Sequence, residues 1–388
     1  MGRVVRKWNF LNDIMPLVAV RKKNCRPAAA SYSSYPMREK IQEIAAAVAA
    51  ENGFAPVKIA LSGDGDSPRL ALQFPYPAKS IFADAQRQIA DALRNAGLPP
   101  IPTRCEIRIH PHIVQGGVRR MPRIKNIIAV ASGKGGVGKS ATAVNLALAL
   151  SAEGARAGIL DADIYGPSVP VMLGIRRRPQ SGEDGGIQPL VAHGVQAMSV
   201  GFLTGEDQPA IWRGPMATRA LSQLLQETRW DDLDYLVLDM PPGTGDIQLT
   251  AAQKFPITGA IVVTTPQDLA LSDAQRGLVM FRKVSIPVLG IVENMGVYLC
   301  PHCGRAEHIF GGGGAKKMCE KYDVKLLGEL PLAPSIRADA DAGTPTVIKN
   351  PDGEIAARYR RIARAAAAEI AQKPRDHSAA IPQVVAEK

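Results

Sequence analysis

The octapeptide GKGGVGKS at 133–140, entered directly from the apolar run IIAVAS at 127–132, constrains this chain more than any other segment. Gly133, Gly135, Gly136 and Gly138 remove Cβ atoms where a backbone must wrap closely around a phosphate chain and turn its N–H groups inward. Lys139 then sets an ammonium on the β- and γ-phosphate oxygens, and Ser140 offers a hydroxyl to Mg2+. A helix predicted from Ser140 to Ala152 adds the positive end of its dipole. The run before the loop is β-branched and TAVNLALAL after it has helical apolar spacing, so the loop joins a strand to a helix. The predicted nucleotide-binding set is Gly133, Lys134, Gly135, Gly136, Val137, Gly138, Lys139, Ser140 and Ala141.

The rest of the chain fits an α/β fold, a mostly parallel sheet preceded by a small α+β domain. From residue 126 strands and helices alternate, with strands predicted at 127–132, 157–161, 235–239, 260–264, 288–292 and 326–330. Residues 37–114 read as helix, two strands, helix and strand. Residues 115–125, QGGVRRMPRIK, have no periodicity and are the predicted linker, so the P-loop domain runs from 126 to 372 with an alanine-rich last helix near 353–372. Residues 373–388 are predicted to be a disordered tail.

Charge excludes less than it first suggests. Of the formal net charge of +11, residues 1–36 hold seven cations against Asp13 alone, and the remainder carries no basic patch interleaved with aromatics. Nucleic acid is therefore not an expected partner. Nor is a membrane, because the longest apolar run near the start, IMPLVAV, is far too short to span one and is followed by Arg21, Lys22 and Lys23, the wrong order for a secretory signal. Residues 1–36 are either a flexible basic extension or the product of a start codon placed too early, with Met37 the true beginning. Five cysteines in 388 residues do not make a disulfide framework and suit a reducing cytoplasm.

Three carboxylates at two strand ends are expected beside the P-loop. LDADIYGPS places Asp161 and Asp163 at the carboxyl edge of the sheet, where open α/β folds bind ligands. Asp163 is the candidate to orient the attacking water and Asp161 a candidate for the Mg2+ shell, although two aspartates in a turn can simply cap a loop. YLVLDMPPGTGD at 235–246 has the form of an acidic strand running into a switch loop. Asp239 would bind a Mg2+ water, Gly243 and Gly245 would let the loop approach the γ-phosphate, and Asp246 would link its movement to a partner surface. P-loop and carboxylates together predict an enzyme that hydrolyses ATP.

The remaining signal is Cys300-Pro-His-Cys303. Two thiolates are half of a tetrahedral site, so one chain cannot close a four-cysteine site with this pair. A zinc knuckle completed by His302, His308 or Cys319 is one alternative, and a redox disulfide another. Cys25 and Cys105 have no partner at metal spacing and read as structural.

KGGVGKS resembles the deviant phosphate-binding loop of the MinD/ParA class of ATPases, and within that class the chain resembles the Mrp/ApbC iron–sulfur cluster carriers. The matching stretches are GKGGVGKS, DADIYGPS (161–168), IWRGPM (211–216), DMPPGTGD (239–246), TTPQDLAL (264–271), VENMG (292–296) and CPHCG (300–304). The resemblance implies a homodimer in which Lys134 reaches the partner's nucleotide as an arginine finger does elsewhere. It also implies that Asn294 contacts the adenine and that the backbone around Pro331–Pro334 closes over the base. In such a dimer two CPHCG segments supply four sulfurs, suited to a bridging [4Fe–4S] cluster taken from donors and passed to apo-proteins. The small domain resembles the assembly module found in front of such ATPases, but its loop PYPAKS has no cysteine where one is often present. A MinD/ParA-like spatial organiser is the alternative; it would want a basic amphipathic C-terminal helix, and PRDHSAAIPQVVAEK is short and broken by prolines. A zinc-braced dimeric ATPase is the other.

Overall fold

The computed structural model describes residues 35–63, 68–182, 185–203, 214–300 and 302–376. The first 34 residues, Cys25 among them, lie outside it, as do Ile211, Trp212 and Arg213 of the IWRGPM stretch and residues 377–388 of the predicted tail.

The small domain comprises α1 (Tyr35–Glu51), β1 (Lys58–Ser62), β2 (Arg69–Phe74), α2 (Phe82–Asn95) and β3 (Thr103–Ile107). β1 pairs antiparallel with β2, and β2 pairs parallel with β3. Alternation along β2 sends Leu70, Leu72 and Phe74 into the core, where Ala85, Ile89 and Leu93 of α2 meet them at helical spacing.

The larger domain contains β4 (Ile124–Ala131), α3 (Lys139–Ala152), β5 (Ala157–Asp161), α4 (Val169–Met172), β6 (Leu190–Ala192), β7 (Val195–Ser199), α5 (Gly214–Glu227), β8 (Leu233–Asp239), α6 (Asp246–Lys254) and β9 (Gly259–Thr264). It continues with α7 (Asp268–Lys283), β10 (Val288–Leu299), β11 (Ala306–Glu307), α8 (Gly314–Tyr322), β12 (Leu326–Leu332), α9 (Pro334–Asp341), α10 (Thr346–Lys349) and α11 (Glu354–Ala371). The strand order is β12-β10-β9-β4-β8-β5-β7-β6, parallel except for the β6–β7 hairpin, with β11 folding back on the end of β10. Strands covered on both faces read as unbroken apolar runs, and β4, β5, β8 and β9 are buried almost throughout. α3 is buried on nearly all sides between the sheet and α11, and its one interior amide, Asn145, is satisfied within the core by donating to Ala141 O and accepting from Val347 N.

Two sequence expectations need correction. The 115–125 segment is docked along the larger domain: Gln115 is buried and donates to the carbonyls of Ala252 and Phe255, and Ile124 and Lys125 already belong to β4. The approach to it is also fixed, with His112 against Asn126 at 3.1 Å. The predicted disorder from Lys373 fails at its first residues. Ile113 N–H donates to Pro374 O, Asp376 N–H donates to Pro111 O, and Arg120 holds the Asp376 carboxylate at 2.8 Å. The glycines and cations of 115–125 suggested a loose connection, but tertiary hydrogen bonds supply the order that local periodicity lacks.

The two domains share a buried ionic joint. Glu153, fully buried at the end of α3, accepts from Ser80 N–H and Ser80 Oγ of the small domain and from Arg364 of α11 at 2.7 Å, with Arg360 at 3.7 Å. A carboxylate is tolerated there because every side of it meets a donor. The helix that begins at the P-loop thus ends on the small domain.

Candidate nucleotide site and cysteine hairpin

The loop between β4 and α3 takes its shape from glycines with distinct tasks. Gly136 and Gly138 both have φ of +80°, a region that side chains disfavour. A Cβ on Gly133 would sit 2.1 Å from the carbonyl carbon of Asp273 in α7, and one on Gly138 would sit 2.2 Å from Asn294 Nδ2. Gly135 and Gly136 face open space, leaving an exposed backbone surface ahead of the α3 N-terminus. That surface fits a phosphate chain.

Lys139 is nearly buried, with Nζ 2.6 Å from Asp239 Oδ1 and 3.0 Å from Ser140 Oγ. The P-loop lysine, strand-end carboxylate and hydroxyl therefore form one cluster. Asp239 is fully buried and its Oδ2 has no hydrogen-bond partner among the described residues. This carboxylate and the Ser140 hydroxyl share Lys139 as a partner, and as oxygen donors they suit a hard cation such as Mg2+.

Asp161 lies directly across from Asp239 in the β5–β8 register. Its Oδ1 accepts from Asp163 N–H, and its Oδ2 accepts from Ser168 N–H, Val169 N–H and Ser199 Oγ at 3.1–3.2 Å. Both oxygens are thus engaged in fixing the 161–169 loop, which makes Asp161 a loop anchor in this structure and leaves Asp239 the freer candidate for the cation. Burial, then the Asp239 carboxylate, push the pKa of the Asp161 carboxyl up to about 7, well above the usual carboxylate range. Asp163 is partly buried, and burial raises its pKa against the pull of Lys139 and of the Gly166 and Tyr165 N–H groups.

The switch loop reaches the P-loop from the other side. Gly243, with φ of +95°, donates its N–H to Ser132 O at 3.0 Å, and Ser132 Oγ donates to Lys134 O. Gly245 precedes α6, whose first residue is Asp246; the Asp246 side chain lies outside the described atoms. Lys134 is half-buried and forms no ion pair among the described residues.

Asn294 is brought to the P-loop itself, donating from Nδ2 to Val137 O at 2.9 Å. That hydrogen bond braces the loop and places Asn294, the residue expected at the adenine, against the P-loop. Pro331 pairs with Val297 near the end of β12, and Pro334 opens α9.

β10 runs past the predicted end at 292 to Leu299 and delivers the cysteines. Cys300 N–H donates to Arg305 O and Gly304 N–H to Cys300 O, closing a tight hairpin between β10 and β11. Cys303 is exposed and Cys300 half-buried. The backbone N–H groups of Cys303 and His302, then the Cys303 thiol, hydrogen-bond to the Cys300 sulfur and hold it below the usual thiol range. No group of three metal-ligating side chains occurs among the described residues, so the zinc knuckle completed within one chain finds no third ligand. Cys319 is instead buried in α8, with burial pushing its thiol up to about 11, and His308 Nδ1 engages Gly296 O at 2.8 Å. Cys105 is likewise pushed up to about 11 by burial. Sequence reasoning weighed His308 only as a ligand and missed Ser199, which donates to Asp161, and Glu293, whose carboxylate accepts from Ala315 N–H, because both depend on partners far away in the chain.

Comparison with known proteins follows the same outline. The ParA family profile described as NUBPL iron-transfer P-loop NTPase matches residues 123–367. The iron-sulfur cluster carrier protein of Escherichia coli (strain K12) is 55% identical over 310 residues, covering 79% of this chain and 83% of the relative. The iron-sulfur cluster transfer protein NUBPL of Mus musculus is 50% identical over 242 residues, 62% of this chain and 76% of its own. A solved nucleotide-binding protein from Archaeoglobus fulgidus, in complex with ADP, is 34% identical with a TM-score of 0.54, covering 61% of this chain and 92% of that one.

Proposed function

The chain belongs to the NUBPL iron-transfer P-loop NTPase family, and from that membership we propose that it is an ATP-hydrolysing homodimer that carries a bridging [4Fe–4S] cluster between cytoplasmic donors and apo-proteins. The observation that carries the proposal is the single-chain half-site: two cysteines on a tight hairpin, one exposed and one with its thiolate favoured by backbone N–H groups, and no third ligand among the described residues. Two such hairpins across a two-fold axis supply the four thiolates that a cubane cluster needs.

On the nucleotide side, Lys139 would leave Asp239 for the β- and γ-phosphates, freeing the Asp239 carboxylate. Ser140 and Asp239 would hold Mg2+, which supplies charge neutralisation at the phosphates. Asp163 would orient the attacking water, and Lys134 would extend to the partner's nucleotide. The Gly243–Ser132 hydrogen bond is the contact the switch loop would remake when the γ-phosphate is lost. No described helix is long and apolar enough to cross a membrane.

On the cargo side, delivery is ligand exchange. A recipient thiol displaces each carrier thiolate from iron, an Fe–S bond forms as another breaks, the recipient's proton ends on the carrier sulfur, and no electron is transferred. Exposure of Cys303 gives the incoming thiol access. Incubating the anaerobically reconstituted protein with an apo-enzyme that needs a [4Fe–4S] cluster should restore that enzyme's activity in proportion to the cluster lost by the carrier, even with a ferrous chelator in excess. Abolition of transfer by the chelator would mean that iron passes through solution and would reject carriage.

A further inference from the structure

The site leaves open how the nucleotide end and the cysteine end communicate, and one stretch of β10 touches both. Regular parallel pairing of β10 with β9 ends at Glu293, and the register with β12 shifts between Glu293 and Val297. Within that irregularity Met295 has φ of +58°, an uncommon conformation for a residue other than glycine. The bulge has two hydrogen-bonded sides. Asn294 braces Val137 O in the P-loop, while Gly296 O accepts from His308 Nδ1, in the strap that returns from the cysteine hairpin. Glu293, just before the bulge, accepts the Ala315 N–H of α8 and fixes the strand on its far side.

We infer that the 294–296 bulge is the coupling element between nucleotide and cluster, and that His308 is the positioning residue through which it sets the cysteine hairpin. The inference rests on the carrier function proposed above. A P-loop that closes on phosphate moves Val137 O and Asn294 with it, and the left-handed Met295 lets the bulge adjust without disturbing the paired strand up to Glu293. His308 turns that adjustment into a change in the angle of the hairpin. His308 is exposed and touches neither nucleotide nor, by this account, the cluster, so changing it should leave the fold intact.

Iron capture by a ferrous chelator from cluster-loaded protein, with and without Mg-ATP, provides the test. In the wild-type protein ATP should change the capture rate by about fivefold or more, the lower range of allosteric coupling. His308→Phe keeps a ring but loses the donor; it should still bind the cluster and show a ratio near one. His308→Asn, whose amide nitrogen can replace Nδ1, should restore most of the effect. By linkage, the cluster should shift ATP affinity in the wild type and not in His308→Phe. A wild-type ratio retained by His308→Phe, or a failure of His308→Asn to recover it, overturns the inference. A wild type that holds its cluster but ignores ATP overturns the coupling and spares the carrier function, whereas a wild type that binds no cluster removes both.

Discussion

Lys134→Ala should bind ATP within about tenfold of the wild-type affinity yet turn it over about a thousand times more slowly, the scale of losing a charged finger in trans. The separation of binding from turnover follows from where the two lysines stand. Lys139 is embedded beside Asp239 and Ser140, where it would serve its own chain's phosphates, whereas Lys134 is half-buried and unpaired among the described residues. A charge directed at a partner's nucleotide acts only in the assembled dimer, where charge develops on the transferred phosphoryl group. The same variant should remain monomeric on gel filtration with a non-hydrolysable ATP analogue, where the wild type should dimerise. A turnover loss smaller than about tenfold would place Lys134 outside the reacting centre.

The second large effect concerns cargo. Cys300→Ser with Cys303→Ser should reduce the iron bound after anaerobic reconstitution from about four per dimer to background, because a serine hydroxyl is a poor substitute for the soft thiolate donor. Either single substitution should leave a labile cluster or none. Both residues lie on a hairpin held by main-chain hydrogen bonds between Cys300, Gly304 and Arg305, so the substitutions remove sulfur without removing the turn. Retention of iron by the double variant would move the cluster elsewhere.

The features legible in the sequence were those in which residue chemistry alone dictates structure. The glycines of 133–138, the acidic ends of β5 and β8, and the paired cysteines are readable because few arrangements use them otherwise. Features set by partners distant in the chain were not readable. Asp161 looked like one of two equivalent strand-end carboxylates, and only the fold gives both of its oxygens to Asp163, Ser168, Val169 and Ser199. VENMG looked like the end of a strand because Asn, Met and Gly interrupt the apolar run, but pairing of Val297 and Tyr298 with β12 carries β10 on to the cysteines. The β6–β7 hairpin did leave a signal that was missed. His193 and Gly194, both at positive φ, form a two-residue turn between the apolar stretches LVA and VQAMS.

Those distances in sequence explain why the P-loop and the cysteines appeared as separate motifs. In the fold both meet one bulged strand, the P-loop at Asn294 and the cysteines directly after Leu299, and the two proposed half-sites, one for a partner's nucleotide and one for a shared cluster, would both call for a second copy. Native mass spectrometry of the anaerobically reconstituted protein tests that claim most directly. The predicted species is two chains with one cluster of about four irons and four sulfides, and no cluster on the monomer. A cluster carried by the single chain, or one zinc ion per chain in its place, would contradict it.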